Sequence, residues 1–379
     1  MVFTVSSRDL LRTLNALSKV ILKRNTLPIL DNVLVSKRDE RFFLTASSVE
    51  HTLTMAIDLR PTDKAPFQPF CMNVNAVSAV LAFLPEQPIT LSVDPDTFRT
   101  TCTYQCGEFS IPSFSAADYP LPKEISDPHV VSSLPTDVLL PAVKAGVACA
   151  GNSELRPTMS AVALDVTNEG VTFFATNGKM LYKYAYLHGV PFLTSGQPDI
   201  ILVPRNIIGA LEAPFHGVET VELRHDGKQL VISSPDVTFS IRDIEGKAPN
   251  YNSVIPASCP YHIVLPVRDL MDSLRRVSLM ASDASRLIAL RRNELFISIC
   301  AEDIDFSRSA REELTSPDCT LPEGFAIGFS SADMLTVLSA ISTENVRIEL
   351  TAPERAVIFR EDAPNSSLLE LLMPLKLDA

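Results

Sequence analysis

Two short segments recur three times along this chain at a nearly fixed step. The stretches SRDLLRTLNAL (Ser7 to Leu17), PTDVLLPAVKA (Pro135 to Ala145) and VRDLMDSLRRV (Val267 to Val277) share an acidic residue followed by apolar ones. Their Asp9, Asp137 and Asp269 stand in register, 128 and then 132 residues apart. A second segment, VNAVSAVL, PRNIIGAL and SADMLTVL, ends at Leu81, Leu211 and Leu338, with steps of 130 and 127. Each copy runs on into an extended apolar stretch, ITLSV, VETVEL or ENVRIEL. Self-similarity at a fixed step sets architecture before any local signal does. This step is too long for a solenoid unit and fits a whole domain. Three copies of one domain are therefore predicted, over residues 1–128, 129–257 and 258–379.

Within each copy, alternating apolar runs at 33–47, 161–176 and 287–300 read as hairpins. Their polar turns fall at Arg38-Asp39-Glu40, Asn168-Glu169-Gly170 and Arg292-Asn293-Glu294. Strand runs with two interspersed helices predict an α+β fold, with helices on one face of an antiparallel sheet. Pro/Ser-rich stretches at 112–129 and 245–260 separate the copies and read as ordered linkers, because aromatic and apolar residues interrupt them. At 100° per residue, Arg8, Arg12 and Lys19 share one face of the first helix, and Leu10, Leu14, Leu17 and Ile21 the opposite one. The third copy offers Arg268, Arg275 and Arg276 on the equivalent helix. The middle copy offers Lys144 and, at the start of its second helix, Arg205. Pro141, inside the middle copy's first helix, is expected to bend it or shift its start.

Composition narrows the classes of function. No apolar run approaches the roughly 18–20 residues of a membrane span, and the opening MVFTVSSRDLL lacks the basic-then-apolar layout of an export signal. Seven scattered cysteines without a CxxC fit reduced thiols in a cytoplasm. Cys102 and Cys106 have no further pair or nearby histidine to complete a metal site, and no cofactor is expected. Net charge is −12 overall, with −2, −3 and −7 in the three copies. So acidic a chain is a poor whole-surface binder of DNA, but it can hold a basic stripe on one face. Catalysis finds no support: there is no Ser/His/Asp arrangement, and the TNGK stretch lacks the glycines of a phosphate loop.

The chain resembles the bacterial sliding clamp, the β subunit of DNA polymerase III. RNTLPILDNVL (24–34) is similar to that family's RPTLPIL loop, SELRPTMSAVAL (153–164) to ETRPVLNGVLF, and ATNGKMLYKY (175–184) to ATDGHRLA. VPRNIIGAL (203–211) is similar to its VPRK helix, DIEGKAPNYNSVIP (243–256) to DGRFPDYxxVIP, and LLELLMPLKL (368–377) to the terminal YVVMPMRL. The matches run in family order over essentially the whole chain. The resemblance implies three repeated sliding-clamp (DNA clamp) domains. Two chains would pair head to tail as a dimeric ring, with helices lining the hole and sheets outside. It also implies a non-enzymatic accessory subunit, a processivity factor that encircles duplex DNA without sequence preference and tethers the replicative polymerase catalytic subunit. A clamp loader and other clamp-motif proteins would be further partners. Phosphate contacts carry no sequence information, so such a ring can slide.

On this resemblance the DNA-facing candidates are Arg8, Arg12, Lys19, Arg24, Lys144, Arg205, Arg268, Arg275 and Arg276, with Arg24 at a family loop position. A partner-peptide pocket falls on Arg156, Met159, Thr176, Gly178, Leu181, Pro249 and Val254, with Leu371, Met373, Pro374, Leu375 and Leu377 from the chain end. The subunit joint falls on Phe109 and Ile111 of one chain and Leu279 and Met280 of the other. The sequence departs from the family pattern at Asn177, where Asp is usual, and at Lys179-Met180, where His-Arg is usual. Glu354 replaces an apolar pocket residue, and Asp378 and Ala379 extend past the usual terminal Leu. With Glu108 on the edge strand and an acidic third copy, apolar packing has to carry the joint. A peptide-binding scaffold without DNA is the competing function; it shares the pocket but predicts no ring.

Overall fold

The computed structural model describes every residue except Thr26, residues 188–198, Leu295, Asp378 and Ala379. The Asp378–Ala379 extension, one position of the RNTLPIL stretch and one position of the third hairpin thus lie outside the described residues. The helices are α1 (Ser7–Ser18), α2 (Val74–Leu81), α3 (Thr136–Cys149), α4 (Arg205–Ile208), α5 (Val267–Val277) and α6 (Ser331–Leu338). The order strand, helix, three strands, strand, helix, three strands recurs three times, with the short strands Arg60–Pro61, Ser113–Ser115 and Asp318–Cys319 added. Strands pair antiparallel throughout, as expected for an α+β chain.

Helix starts follow from local chemistry. The Ser6 hydroxyl accepts from the Asp9 amide at 3.4 Å, Asn73 accepts from Ala76 at 2.9 Å, and Ser330 accepts from Asp333 at 3.3 Å. Each side chain satisfies one amide that a first turn leaves unpaired. Leu10, Leu14 and Leu17 are fully buried while Arg8 and Arg12 are exposed, so α1 keeps the two faces its spacing predicted. α3 starts at Thr136, one residue later in the repeat than α1 and α5, and runs past Pro141 to Cys149. The proline costs the helix one amide donor, and its buried neighbours Leu139, Ala142 and Val143 hold the segment in place. α4 is shorter than the repeat suggested: it stops at Ile208 before Gly209, a poor helix former, although Ala210 and Leu211 remain buried.

The chain divides into two compact units, Met1–Leu140 with Pro191–Asp243, and Pro141–Val190 with Ile244–Ala379. The first holds a five-stranded sheet ordered Arg60–Pro61, Val2–Ser6, Pro88–Val93, Thr100–Tyr104, Gly107–Ile111. Its nine-stranded sheet carries strands of the first repeat (Asn32–Arg38, Arg41–Ser47, His51–Ile57) directly into strands of the second (Val237–Arg242, Gln229–Ser233, Thr220–His225). The joining pair aligns Leu53 with Phe239 and Thr52 with Ser240. The second unit repeats the device. Met180–Tyr186 pairs with Leu368–Leu372, aligning Leu181 with Leu371. Its four-stranded sheet runs Arg308–Thr315, Phe296–Asp303, Leu287–Asn293, Ala326–Ser330. The expected polar turns take left-handed backbone at Asp39, Glu40 and Glu294.

The linkers are anchored by tyrosines. Tyr119 is buried and its hydroxyl donates to the carbonyls of Asn32 and Thr45 at 3.2 and 3.1 Å. Tyr251 is also buried, with its ring centroid 4.2 Å from that of Phe174 and its hydroxyl donating to Asp165 at 2.8 Å.

Two buried ionisable groups shape the units. In the first, the His225 ring lies between Asp199 (2.6 Å from Nδ1) and Asp243 (2.7 Å from Nε2), with its side chain 1% exposed. Burial alone would lower the imidazole, but the two hydrogen bonds and both negative charges outweigh it and raise its pKa from 6.5 to about 9. His225 is therefore an imidazolium that clasps the strand beginning at Asp199 to Asp243, the residue that follows the strand Val237–Arg242. In the second unit Glu370 is 1% exposed in the middle of Leu368–Leu372, and burial pushes its carboxyl well above the usual range, so it is neutral. The Cys149 thiol lies 3.4 Å from its Oε2, and burial likewise raises the thiol.

The folded state of the first unit holds the His225 proton more tightly than the unfolded chain does. That stabilisation is complete below pH 6.5 and is lost as pH rises through about 9. Guanidinium denaturation in pH steps is expected to show this decline. His225→Gln should flatten it and lower stability at pH 6 by about 3 kcal/mol, because two carboxylates are left without their cation. A wild-type midpoint that stays flat between pH 6.5 and 9 would rule the clasp out.

Candidate functional site

The residues expected to form the peptide pocket all belong to the second unit, and most of their segments meet at one end of its large sheet. The 3-10 turn Pro157–Met159 leads into the strand Ala161–Thr167, whose antiparallel neighbour ends at Thr176. The chain turns at Gly178, re-enters at Met180, and that strand pairs with Leu368–Leu372 just before the chain end. Starts and ends alternate in an antiparallel sheet, so Met159, Thr176, Gly178 and Met373 come to the same rim.

The rim is built from short, well-satisfied turns. Asn177 Oδ1 accepts from the amides of Lys179 and Met180, both at 2.9 Å, and Thr176 Oγ1 donates to the Met180 carbonyl at 2.6 Å. Gly178 takes φ +89° with open space where a Cβ would be, so only its backbone conformation calls for glycine. Asn177 does the turn work an Asp would do, and this departure is geometrically neutral. The Arg156 carbonyl accepts from the Met159 amide at 3.0 Å, and the Met159 carbonyl accepts from Gly151 at 2.7 Å. A Cβ on Gly246 would lie 2.8 Å from Thr158 Cγ2, which brings the linker carrying Pro249 and Val254 against this turn.

The chain end is tied down by backbone bonds, Met373 to Lys179 and Leu375 to Gly328, both 2.8 Å. A Cβ on Gly328 would meet the Leu375 carbonyl at 2.8 Å and Leu377 Cδ2 at 2.7 Å. Exposure separates roles within the predicted set. Met373 and Val254 are 41% and 52% exposed, and Arg156 and Gly178 are exposed too. Met159, Thr176, Pro249, Pro374, Leu375 and Leu377 are half-buried. Leu181 and Leu371 are buried directly opposite each other, so they floor the rim from within the sheet. Met180, where the resembled motif has Arg, is buried, whereas Lys179 and Glu354 are exposed. Sequence reasoning missed Gly328, although a lone glycine inside the strand AIGFS signals close backbone approach. It also missed Leu155, 94% exposed beside Arg156, and the buried anchor Tyr251.

The predicted DNA-facing cations are exposed, apart from the half-buried Arg205, but many are already engaged. Arg8 pairs with Glu86 at 2.9 Å, Arg12 with Asp9 at 3.6 Å and Arg275 with Asp272 at 2.9 Å. Arg276 forks onto Glu312 at 2.8 and 2.7 Å. Lys19 Nζ donates to the Gly209 carbonyl at 3.3 Å. Among the described residues, Arg24 and Arg268 have no carboxylate at ion-pair distance, while Lys144 and Arg205 have partners of their own. Cations held by carboxylates keep their charge but add less to the local field.

At the predicted joint, Gly107–Ile111 is the outer strand of the five-stranded sheet, with Phe109 half-buried and Ile111 buried. Leu279 is 71% exposed and Met280 36% exposed in the turn after α5. No group of three or more His, Cys, Asp or Glu among the described residues is arranged to hold a metal. No described helix is long and apolar enough to cross a membrane.

A chain of three strand–helix repeats joined by continuous sheets has the architecture of the sliding clamps. Solved structures agree. The sliding clamp of Pseudomonas aeruginosa, DNA polymerase III subunit beta bound to griselimycin, superposes with a TM-score of 0.91 at 22% identity, over 100% of both chains. The sliding clamp of Bacillus subtilis superposes at 0.88 and 20% identity, again over 100% of both. The beta sliding clamp of Escherichia coli K12 is 24% identical over 100% of both sequences, and that of Bacillus subtilis 168 is 22% identical over 99% of this chain and 100% of the relative. Family models for the DNA polymerase III beta subunit match its N-terminal domain at residues 1–123 and its C-terminal domain at 252–376, together more than half of the chain. The chain belongs to the DNA polymerase III beta subunit family, the beta sliding clamps of DNA replication.

The Asn177 turn sets the rim's geometry and can be tested alone. Asn177→Ala removes the side-chain acceptor of two backbone amides and is expected to cost about 1–2 kcal/mol in urea denaturation. Asn177→Asp should stay within about 0.5 kcal/mol of wild type. Equal costs for the two variants would show that the side-chain oxygen does not hold the turn.

Proposed function

We propose that the chain acts as a replication processivity factor in the form of a homodimeric ring of six like domains. Each chain contributes three, over 1–128, 129–257 and 258–379, and the ring encloses duplex DNA. The observation that carries this reading is a pair of unfilled sheet edges. Gly107–Ile111 ends the five-stranded sheet of the first unit, and Arg308–Thr315 ends the four-stranded sheet of the second. An edge strand offers a row of unpaired backbone groups that another chain can complete. Joining the first edge of one copy to the last edge of another is a head-to-tail contact, and repeating it once closes a dimer. Phe109 and Ile111 of one copy against Leu279 and Met280 of the other supply the apolar part of the joint.

Within such a ring, α1, α3 and α5 turn their cations toward the hole. Arg24 and Arg268, unclaimed by carboxylates among the described residues, are the strongest phosphate contacts. Lys19, Lys144, Arg205, Arg8, Arg12 and Arg275 add a diffuse field, and Arg276, held by Glu312, contributes least. The rim around Met159, Gly178, Val254 and Met373 receives apolar anchors of short partner motifs, from the replicative polymerase, the clamp loader and other proteins. The chain carries out no chemistry of its own and works in the cytoplasm.

Two experiments test this. Wild type is expected to scatter light as a dimer, and after loading to stay on nicked circular DNA and leave when the circle is cut. Leu279→Ala with Met280→Ala is expected to give monomers with an unchanged melting profile, because both side chains are exposed in the single chain. A double variant that still sediments as a dimer, or retention on linear DNA equal to that on circles, removes the ring reading. Deleting Met373 to Ala379 spares the buried strand ending at Leu372. It should weaken binding of a labelled polymerase clamp-binding peptide by at least about a hundredfold while leaving the dimer intact. Unchanged peptide affinity would refute the pocket.

A further inference from the structure

The strand Met180–Tyr186 carries a second feature that neither the channel cations nor the chain-end rim uses. Lys183 stands opposite Leu369, the register of the next pair carries Leu369 to Arg360, and Arg360 stands opposite Arg347. Four neighbouring strands thus place Lys183, Leu369, Arg360 and Arg347 in one row. Glu370 points to the helix side, where Cys149 of α3 meets it, so this row faces away from the helices.

Like charges directly opposite on paired strands repel, and the chain compensates only in part. Glu349 lies 3.3 Å from Arg360 and 3.9 Å from Arg347, and Asp318 lies 3.5 Å from Arg347. Lys183 has no carboxylate at ion-pair distance among the described residues. Its Nζ lies 5.1 Å from the Tyr251 ring centroid and donates a hydrogen bond to Asn252 Oδ1 at 3.4 Å. Burial, and then the Arg360 charge, lower the Lys183 pKa, and the more distant Asp165 charge offsets only part of that.

Lys183, Leu369 and Arg360 of this row line a groove of about 600 Å³, walled also by Leu187, Ile255 and Pro256 and edged by Ser366 and Ser367. A second groove of about 510 Å³ shares Arg360 and Ser366 and holds Arg347, but Glu349, Glu361 and Asp362 make it acidic, so of the two only the first is lined by cations without carboxylates. The linker that brings Pro249 and Val254 to the chain-end rim continues through Asn252 to Ala257 along this groove, so the two surfaces are contiguous.

We propose that this groove is a second docking site, taking an extended acidic segment of a partner protein whose carboxylates reach Lys183 and Arg360 while an aliphatic side chain rests on Leu369, Ile255 and Pro256. Two features select a peptide over a free anion. The cations are two strands apart rather than convergent on one point, and the wall between them is aliphatic. The proposal rests on the chain-end rim being a peptide site only for its argument from continuity.

The test is fluorescence anisotropy on the full chain, with a labelled peptide containing Leu-Asp-Leu-Asp and its twin containing Leu-Asn-Leu-Asn. The acidic peptide should bind saturably and at least about tenfold more tightly than its twin, and lose about tenfold in Lys183→Met with Arg360→Gln. Met373→Ala separates the two readings, because it alters the chain-end rim alone and should leave this binding intact. No saturable binding to wild type, no loss in the double variant when its circular dichroism matches wild type, or loss confined to Met373→Ala would overturn the second site. Displacement of the peptide by an equimolar duplex oligonucleotide would overturn its assignment to a protein partner.

Discussion

Backbone pairing across the repeat junctions is the constraint from which the rest follows. His51–Ile57 pairs with Val237–Arg242, and Met180–Tyr186 with Leu368–Leu372, so each junction is a ladder inside a sheet rather than a contact between finished surfaces. Such a ladder fixes register, and a slip of one residue would turn every core side chain outward. Leu53 against Phe239 and Leu181 against Leu371 are fully or nearly buried, which makes slippage costly. The middle repeat is consequently shared. Its strands from Thr220 to Arg242 fold with the first unit and those from Ala161 to Tyr186 with the second, while α3 starts in one and ends in the other. Repeats in sequence and cooperative units in space are different partitions of this chain.

The same ladders explain where the chain tolerates buried charge. His225 stands at the end of its strand, where two carboxylates from other segments can reach both ring nitrogens. Glu370 has no such company. It sits mid-strand between Tyr182 and Phe359, so neutralisation is its cheapest state. One group gains a proton because partners surround it, and the other keeps one because none do. Both respond to rising pH in the same direction, through opposite causes.

Much of this could be read from the sequence, and what could not has a physical reason. The 128- to 132-residue step placed the first-helix starts to within a residue in all three copies, because the apolar spacing that marks them is a local signal. The hairpin turns at Asp39, Glu40 and Glu294 were legible for the same reason. Pro141 was expected to bend the middle copy's first helix or shift its start; the helix starts one residue later in the repeat than its counterparts and runs on past the proline. The end of α4 at Gly209 was missed because the repeat was trusted over the glycine. Candidate site residues read from family resemblance fell largely at one sheet rim, yet their roles within it were illegible. Leu181 and Leu371 look like ligand contacts in a motif and are interior strand residues in the fold. The engagement of Arg276 by Glu312, 36 residues away, depends on α5 lying beside the strand Arg308–Thr315, which no helical wheel contains.

The cation row on the second unit makes the same point from the other side. Lys183, Arg360 and Arg347 are far apart in sequence, and only Lys183 lies in a stretch that resembles a family motif. Only the order of strands brings them together, and that order is set by the ladder that holds the chain end. The strand Leu368–Leu372 therefore has three duties: its buried face keeps Glu370 under the helices, its outward Leu369 separates the cations, and its end delivers Met373 to the rim. A substitution at one of these positions cannot be judged by its own contacts alone, because loss of register would move all three at once. Binding surfaces built on strand interiors inherit the rigidity of the sheet, and a partner meets them already formed.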